Sequence, residues 1–469
     1  MDVDKISFNG TVLDILEDIS KADFVAIDFE FSGVTRNKPT SLGRNKQTLQ
    51  ERYEQVKIAA EKFHIPQAGL TCAFRPDSHD GTWRLRTYNL LLSPILDEDL
   101  DVERDFSFQS GAVQFLQRVD FALETSLSHG IPYLSRPEQI QAHTQAAIRA
   151  DTSSIADIQL DATDVEALAF VQRVRDAAVI FNKRNHTPGA QLVIDSRAFG
   201  TDDSTTTELK HELTGFDKRL IHQLVRAEFT ALRSFSRSTS IIVERSDAAR
   251  EKKKRDERSR RAASRITEHV GFRWVVEALF QGGSIKDMDL RSTAVNREGA
   301  PQIYDFYDTV GRHKRIMKKL EAGRPVLVGH NLFTDLMYLY ASFIGTLPDT
   351  VEGFAAEMGA SFPLVVDTKY MGTHNCGSIN PASSLEQLDK WLLDEMPKPK
   401  IALDEGFEKY LTQANYHEAG FDSYLTARVM IRLAARLNEG QVAAFDEDFW
   451  KEYGSQLRIF GTFEGAMKI

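Results

Sequence analysis

The sequence predicts an α/β protein whose main sheet is flanked by helices and whose chain carries a small inserted α/β domain. Residues 24–31 (FVAIDFEF) form an apolar run with the length of a buried strand. Residues 324–345 have the pattern of a strand, a loop and a helix. Residues 151–163 are rich in Ser, Thr and Asp, so we expect them to be a linker to a second folded unit.

The composition is that of a globular protein with more than one domain. A chain of 469 residues is longer than one hydrophobic core usually supports. Hydrophobic residues make up 42% of it and charged residues 27%, so a sizeable core is expected. The net charge of −10 argues against a protein that coats nucleic acid through its overall field, although a local basic surface can still bind phosphates.

The sequence shows no signal for export or for membrane insertion. The first residues, MDVDKISFNG, lack the apolar core of a signal peptide and the Arg-rich character of a transit peptide. The longest apolar runs are far shorter than the roughly 20 residues that a membrane span requires. Two cysteines are too few for a disulfide framework or a zinc cage. We therefore expect a protein of the nucleus, the cytoplasm or both, with no membrane partner.

The first part of the main domain is predicted at residues 1–150. Strands are expected at 24–31, 69–74 and 87–94, where apolar and β-branched residues are bounded by turn residues. A helical region is expected at 110–130, which ends at a Gly followed by a Pro.

The rest of the chain divides into three predicted segments. An inserted α/β domain is expected at 164–245, and a charged connector at 246–266. Within the connector, residues 250–261 carry eight basic and three acidic side chains, which suits a solvated helix, an RNA-backbone contact or a nuclear localisation signal. Residues 267–469 return to the main domain, with a strand at 362–367 and a long amphipathic helix after it.

Four acidic residues each have an ordinary explanation when taken singly. Asp28 and Glu30 project from one face of an apolar strand, which is costly unless a positive charge such as a Lys or Arg lies beside them. Asp335 follows a buried strand, where surface or capping residues are common. Asp422 begins a long helix, where an N-cap or helix-dipole role is usual.

The order of these acids along the chain points to one shared site. After the D-x-E pair, Asn331 and Asp335 form N-x3-D, and His417 and Asp422 form H-x4-D. This order resembles the DEDD exonuclease superfamily. Glu418 stands where the tyrosine subgroup would carry Tyr, so the resemblance is to the histidine subgroup, DEDDh.

The chemistry of phosphodiester hydrolysis explains why these residue types are needed. Mg²⁺ prefers oxygen ligands, and two such ions about 3.5–4 Å apart stabilise the attacking and leaving oxygens of a displacement at phosphorus. We expect two Mg²⁺ ions, or Mn²⁺ in their place, on Asp28, Glu30, Asp335 and Asp422. His417 is expected to take a proton from the attacking water, since imidazole titrates near neutral pH. The alternative is that His417 only precedes a helix and forms a hydrogen bond with the backbone.

Further motifs extend the resemblance over nearly the whole chain. DFEFSG, ERY, GIPYL, VGHN, DTK and HEAGFD occur in order at residues 28–33, 51–53, 130–134, 328–331, 367–369 and 417–422. The chain is thus similar to the poly(A)-specific ribonuclease family, the CCR-associated-factor-type deadenylases. This resemblance implies an RNase H-like mixed sheet flanked by helices. It also implies 3′-to-5′ hydrolysis of single-stranded, poly(A)-rich RNA to nucleoside 5′-monophosphates.

The inserted segment lies where that family carries a domain named for an Arg-x3-His motif, which is taken to bind single-stranded nucleic acid. Here Lys218 and His222 occupy the matching positions. Lys keeps the charge but lacks the bidentate geometry with which Arg holds a phosphate. The alternative is that this segment is a helix that serves as a docking face.

The resemblance also assigns RNA contacts, because aromatic and apolar walls accept stacked bases and one ammonium can hold a phosphate. For Phe115, core packing is the alternative. The expected contacts outside the inserted domain are Phe31, Ser32, Val34, Val113, Phe115, Asn331 and Lys369.

Four functions remain open from the sequence. The first is a deadenylase, the second a trimmer of small or noncoding RNA 3′ ends, and the third a non-catalytic RNA-binding protein. The fourth is a DNA exonuclease, because nothing in the sequence alone shows recognition of the 2′-hydroxyl. The resemblance implies a homodimer. Only 47 residues follow Asp422, too few for the RNA-recognition domain with which vertebrate members bind the mRNA cap, so cap stimulation is not expected.

Overall fold

A computed structural model describes residues 1–35, 46–75, 81–150, 157–184, 189–197, 199, 212–395 and 399–469. The chain divides into two compact units, of which unit 1 joins Met1–Gln145 to Ala263–Ile469 and unit 2 is Ala146–Ala262. The first residues of the predicted linker, 151–156, lie outside the described part.

The strands of the described residues are short except for those at the centre of unit 1. They are β1 (Asp2–Val3), β2 (Phe24–Glu30), β3 (Gln67–Phe74), β4 (Thr82–Ser93), β5 (Ile131–Pro132), β6 (Gln191–Ile194), β7 (Leu232–Ser236), β8 (Ile241–Arg245), β9 (Val326–Gly329), β10 (Val365–Asp367), β11 (Lys400–Leu403), β12 (Gln456–Arg458) and β13 (Ala466–Lys468).

The helices range from single turns to six turns in length. They are α1 (Lys5–Lys21), α2 (Leu49–Ala60), α3 (Ser110–Arg118), α4 (Leu123–His129), α5 (Arg136–Ala150), α6 (Val165–Lys183), α7 (Gly215–Glu228), α8 (Ala248–Val270), α9 (Arg273–Leu279), α10 (Phe306–Ala322), α11 (Phe333–Leu339), α12 (Val351–Ser361), α13 (Thr368–Met371), α14 (Leu385–Asp394), α15 (Lys409–Thr412), α16 (Ala419–Leu437) and α17 (Phe449–Tyr453).

Unit 1 is built on a mixed sheet with the strand order β1-β4-β3-β2-β9-β10, in which β5 and β11 also pair with β4. Strand β3 is antiparallel to both β2 and β4, whereas β9 and β10 run parallel to β2. Helix α16 packs against β2, β3 and β4, and α1 packs against α9 and α10. This mixed sheet with flanking helices confirms the predicted α/β fold class.

The predicted elements of unit 1 are present with shifted ends. The strand predicted at 24–31 is β2, and the strand predicted at 87–94 begins earlier, at Thr82. The helical region predicted at 110–130 is two helices, because Asp120 between them has a left-handed backbone with φ at 56°. The described helices include none that is long and apolar enough to cross a membrane.

Unit 2 has its own small core. Its three-stranded antiparallel sheet has the order β6-β8-β7, and α7 packs on β7. Phe170 and Val174 from α6 meet Ile221 and Leu224 from α7 in this core. The charged connector predicted at 246–266 lies mostly within the single helix α8, where most of the described charged side chains are exposed.

Candidate active site

The two acids of the D-x-E motif lie towards the end of β2, a strand whose other residues are all buried. The first residues of β2, Phe24 to Ile27, are almost completely buried. Because side chains alternate along a strand, Asp28 and Glu30 share one face of the sheet. Glu30 is only 9% exposed, so both acids leave the apolar part of the strand without entering bulk solvent.

A glycine on the neighbouring strand lets α16 approach this face. Gly69 on β3 pairs with Asp28, and a Cβ atom on Gly69 would lie 1.7 Å from the carbonyl oxygen of Ala419. Any side chain at Gly69 would therefore displace the start of α16. Because Gly69 has no side chain, the first turn of α16, which contains Asp422, can pack close to the strand that carries Asp28.

Two buried amide side chains fix the start of α16. The Gln67 Oε1 atom accepts the backbone N–H of Ala419 at 3.0 Å, and the Asn89 Oδ1 atom accepts that of Gly420 at 3.2 Å. A helix begins with N–H groups that lack partners within the helix, so these amides serve as caps supplied by the sheet. Sequence reasoning did not predict this capping role, because it depends on strand register.

These elements bring three of the predicted carboxylates together. Single carboxylate oxygens of Asp28, Glu30 and Asp422 all lie within 4.8 Å of one another. Helix α11 supplies the fourth, Asp335, which is 9% exposed. Its negative charge raises the pKa of both Asp28 and Glu30, so it belongs to the same electrostatic cluster.

The pKa values of all four carboxyl groups are raised, which shows that their ionised forms are unfavourable in this cluster. Burial and mutual repulsion raise the pKa of Asp28 and of Glu30 well above the usual range. Burial raises the pKa of Asp335 to about 8, although backbone amides, including that of Phe29, favour its ionised form. Burial likewise raises the pKa of Asp422 to about 7.

The donor set fits hard divalent cations. Within the described ranges, none of the four carboxylates forms an ion pair with a Lys, Arg or His side chain. The alternative explanation, in which Asp28 or Glu30 forms an ion pair with a Lys or Arg, is therefore not supported by the described residues. Buried carboxylates are stable in their ionised form only with a positive partner, and Mg²⁺ or Mn²⁺ takes oxygen ligands of this kind.

His417 lies exposed at the edge of this cluster. Its backbone has a left-handed φ of 66°, and its backbone N–H points to the Asp422 Oδ2 atom at 3.3 Å. Its ring meets the Phe115 ring edge to face, with centroids 4.9 Å apart. The neighbouring Glu418 is engaged elsewhere, because it accepts hydrogen bonds from Lys409 and from the Tyr410 hydroxyl.

A buried aspartate that sequence reasoning did not single out holds the loop before α11. Asp367 is fully buried, and its carboxylate accepts the backbone N–H groups of Asn331, Lys369 and Arg458 over 2.8–2.9 Å. Asn331, a predicted RNA contact, is exposed and has a left-handed φ of 61°. The DTK motif contains Asp367, but only its lysine had been assigned a role.

The residues that follow Glu30 differ in how far their side chains are exposed to solvent. The Phe31 ring packs against the Tyr338 ring with centroids 4.2 Å apart, and Val34 is 43% exposed. The prediction for the Ser32 side chain is corrected. Ser32 is fully buried, and its hydroxyl donates to the Ser107 carbonyl and accepts the His64 N–H, so the side chain supports the loop and does not face RNA.

The other predicted RNA contacts of unit 1 also differ in how far their side chains are exposed to solvent. Val113 is half-buried on α3, whereas Phe115 is 38% exposed, which argues against core packing as its main role. Lys369 is only 9% exposed, and its ammonium group donates to the Ser383 carbonyl at 2.5 Å. Two further exposed aromatic residues, Phe106 and Phe108, precede α3 and were not predicted.

Lys218 and His222 both lie on α7 of unit 2. The two ring nitrogens of His222 form hydrogen bonds with the hydroxyls of Ser234 and Ser236, at 2.8 and 3.0 Å. Burial lowers the pKa of His222. The Lys218 ammonium donates to the Ser238 carbonyl at 2.7 Å. These bonds are internal to unit 2, and RNA binding by this pair stays a prediction.

Comparison with known proteins identifies the family. The model of the CAF1 family ribonuclease matches residues 3–430. The poly(A)-specific ribonuclease PARN of Xenopus laevis is 27% identical over 448 residues, which cover 92% of this chain and 62% of the relative. The PARN of Arabidopsis thaliana is 26% identical, and the match covers 92% of this chain and 58% of the relative. The chain thus spans about three fifths of the length of these relatives.

Two further comparisons are more distant. The pre-piRNA 3′-exonuclease trimmer of Bombyx mori is 22% identical, and the match covers 94% of this chain and 73% of the relative. Among solved structures, Pop2p of S. pombe in its Mg²⁺- and Mn²⁺-bound form matches 98% of both chains at 12% identity, with a TM-score of 0.41.

Proposed function

Because this chain belongs to the CAF1 family of ribonucleases, we propose that it removes nucleotides from the 3′ ends of single-stranded RNA, with poly(A) as the preferred substrate. One observation carries the proposal. Four carboxylates from β2, α11 and α16 form an acidic cluster next to an exposed histidine, and no Lys, Arg or His side chain of the described residues forms an ion pair with them. Relatives named as poly(A)-specific ribonucleases support the choice of substrate.

Asp28, Glu30, Asp335 and Asp422 would hold two divalent cations, Mg²⁺ or Mn²⁺. Cations bound there stabilise negative charge on the phosphate oxygens during an in-line displacement. The raised pKa values mean that the carboxylates bind protons in the absence of metal, so metal uptake releases protons.

His417 would act as the general base of the hydrolysis. A nitrogen of its exposed imidazole takes a proton as the water oxygen forms its bond to phosphorus. The bond between phosphorus and the 3′ oxygen of the preceding nucleotide breaks, and that oxygen takes up a proton from solvent, which leaves a 3′ hydroxyl and a nucleoside 5′-monophosphate. The edge-to-face contact with Phe115 limits the orientations that the His417 ring can take.

The apolar surface around the carboxylates would receive the terminal bases. Phe31 is braced by Tyr338, and Phe115 and Val34 are partly exposed. Stacking on such side chains tolerates any base, so this surface explains binding of single strands better than it explains a preference for adenosine.

Mass analysis of the products of an oligoadenylate, incubated with and without Mg²⁺, tests the proposal. We expect AMP and a series of chains shortened from the 3′ end, formed only with the metal. Products that begin with internal cleavage, or that carry 3′ phosphates, would reject it.

The similarity to a pre-piRNA trimmer supports a second candidate function, the trimming of noncoding RNA 3′ ends. The rates on a poly(A) tail and on a 3′ extension of mixed sequence separate the two functions. A clear preference for poly(A) supports deadenylation, whereas equal rates support trimming.

A further inference from the structure

We propose that the C-terminal hairpin of unit 1 contains an RNA-binding site, formed by Arg458 and Phe460 beside Lys369, that holds a nucleotide upstream of the cleaved bond. The proposal rests on the proposed function, because its ligand is the RNA substrate. The hairpin consists of β12 and β13, which lie beyond residues 3–430 that the family model matches. We call Lys369, Arg458 and Phe460 the hairpin patch.

The hairpin patch combines an exposed aromatic ring with two cations. Phe460 follows β12 and is 46% exposed. The Arg458 guanidinium lies 5.0 Å from the centre of its ring, and the Lys369 ammonium lies 5.4 Å from it. Cations in this position hold the ring in place while part of its surface stays open to solvent.

The charge of Arg458 is available for a ligand. Among the residues with described positions, no Asp or Glu forms an ion pair with it, and its buried Nε atom has no hydrogen-bond partner. Asp367 accepts the backbone N–H of Arg458 and not its guanidinium. The Arg458 side chain as a whole is only half-buried, and a phosphate is an acceptor that a guanidinium binds through charge-assisted hydrogen bonds.

The base of the hairpin is joined to the segment that carries one of the four carboxylates. Asp367 accepts the backbone N–H of Arg458 and that of Asn331, four residues before Asp335. At the tip of the hairpin, Gln47 exchanges backbone hydrogen bonds with Gly461 and Phe463, at 3.0 and 2.9 Å. The hairpin patch is therefore linked through Asp367 to the loop that leads to Asp335.

The chemistry of the patch matches single-stranded RNA. A guanidinium suits a phosphodiester, and an adjacent open ring accepts a stacked base. The chain has a net charge of −10, and the cleavage site concentrates four carboxylates, so an RNA strand needs local cations to approach it. A phosphorylated peptide would use the guanidinium but would leave the ring without a stacking partner.

The test measures binding of a labelled oligoadenylate to the full chain, in an Asp28→Ala background that prevents cleavage. Arg458→Gln should weaken binding several-fold and lower the slope of log K against log salt by about 0.7, the value for one lost phosphate contact on a single strand. Phe460→Ala should weaken binding roughly tenfold with an unchanged salt slope. Phe463→Ala, on the same hairpin tip and 65% exposed, is the matched control and should bind as the parent does.

Phe460→Trp keeps a stacking surface, so it should retain binding if Phe460→Ala proves poorly folded. Unchanged RNA binding in both Arg458→Gln and Phe460→Ala would overturn the proposal, as would equal loss in Phe463→Ala. Arg458-dependent binding of a phosphopeptide, with RNA binding retained in Arg458→Gln, would assign the patch to a protein partner instead. Failure of the proposed function would be seen separately, as a lack of Mg²⁺-dependent shortening by the unsubstituted chain.

Discussion

The carboxylate of Asp367 accepts the backbone N–H of Asn331 at 2.8 Å, which holds Asn331 in a left-handed conformation four residues before Asp335. Asp367 is fully buried, and burial raises its pKa to about 6. Because three backbone N–H groups share this carboxylate, it connects the loop before α11 with α13 and with β12. The position of Asp335, one of the four clustered carboxylates, thus depends on a further buried aspartate outside that cluster.

Asp367→Asn should lower the free energy of unfolding by about 1–3 kcal/mol, because an amide places its own N–H groups against backbone donors. We also expect weaker Mg²⁺ binding, because the loop that positions Asp335 loses its anchor. Thermal melts with and without Mg²⁺ measure both effects. Asp389→Asn, which removes a buried partner of Arg428 and Arg432, should lower stability without changing the Mg²⁺ affinity of the folded protein. Equal Mg²⁺ affinity in the two variants would contradict the role given to Asp367.

Gly69→Ala should abolish or strongly reduce activity, because the new methyl group cannot coexist with the Ala419 carbonyl 1.7 Å away. The start of α16, and Asp422 with it, would have to move. Gly111 on α3 is the matched control, since a Cβ atom there meets nothing within 4 Å. Gly111→Ala should keep full activity and be at least as stable. Retained activity in Gly69→Ala would show that the contact between β3 and α16 does not position the site.

His417→Gln should lower kcat by about 10²–10⁴-fold, the usual contribution of a general base, and should leave RNA binding nearly intact. His129, exposed on α4, provides the control, and His129→Gln should behave as the unsubstituted chain does. A His417→Gln variant that keeps its rate would mean that another group takes the proton.

Removal of metal should make the folded chain sensitive to pH. Burial raises the pKa of Asp422 to about 7 and that of Asp335 to about 8, so the folded state binds protons that the unfolded state has released. Stability in EDTA should therefore fall as pH rises from about 4 to 8. Asp422→Asn removes one of these groups and should melt a few degrees higher than the unsubstituted chain in EDTA at pH 8. A lower melting temperature for this variant, or no response of the unsubstituted chain to Mg²⁺, would contradict a cation-binding cluster.

The sequence predicted the elements that carry the acids because each has a strong local pattern. The apolar run of β2 and the amphipathic repeat of α16 place Asp28, Glu30 and Asp422 without knowledge of the rest of the chain. The roles of Gln67 and Asn89 could not be predicted, because they follow from the pairing of β3 with β2 and β4. Single-sequence patterns do not contain strand register.

Contacts with segments distant in sequence explain why some predicted RNA-binding side chains are buried in the structure. The resemblance assigns Ser32 an RNA contact, but the side chain is buried and its hydroxyl donates to the Ser107 carbonyl. The resemblance also assigns Lys369 an RNA contact, yet its ammonium donates to the Ser383 carbonyl and lies 5.4 Å from the centre of the Phe460 ring. Phe115 shows the opposite difference: core packing was its alternative role, but on α3 its ring is partly exposed and lies beside the His417 ring.

The most direct test of the central claim follows the length of a 5′-labelled oligoadenylate over time, with the unsubstituted chain and with Asp28→Ala. The unsubstituted chain should shorten the RNA stepwise from its 3′ end in Mg²⁺ and stop in EDTA. Asp28→Ala should bind the RNA without shortening it under either condition. Shortening that survives both the substitution and EDTA would show that the four carboxylates are not the catalytic site.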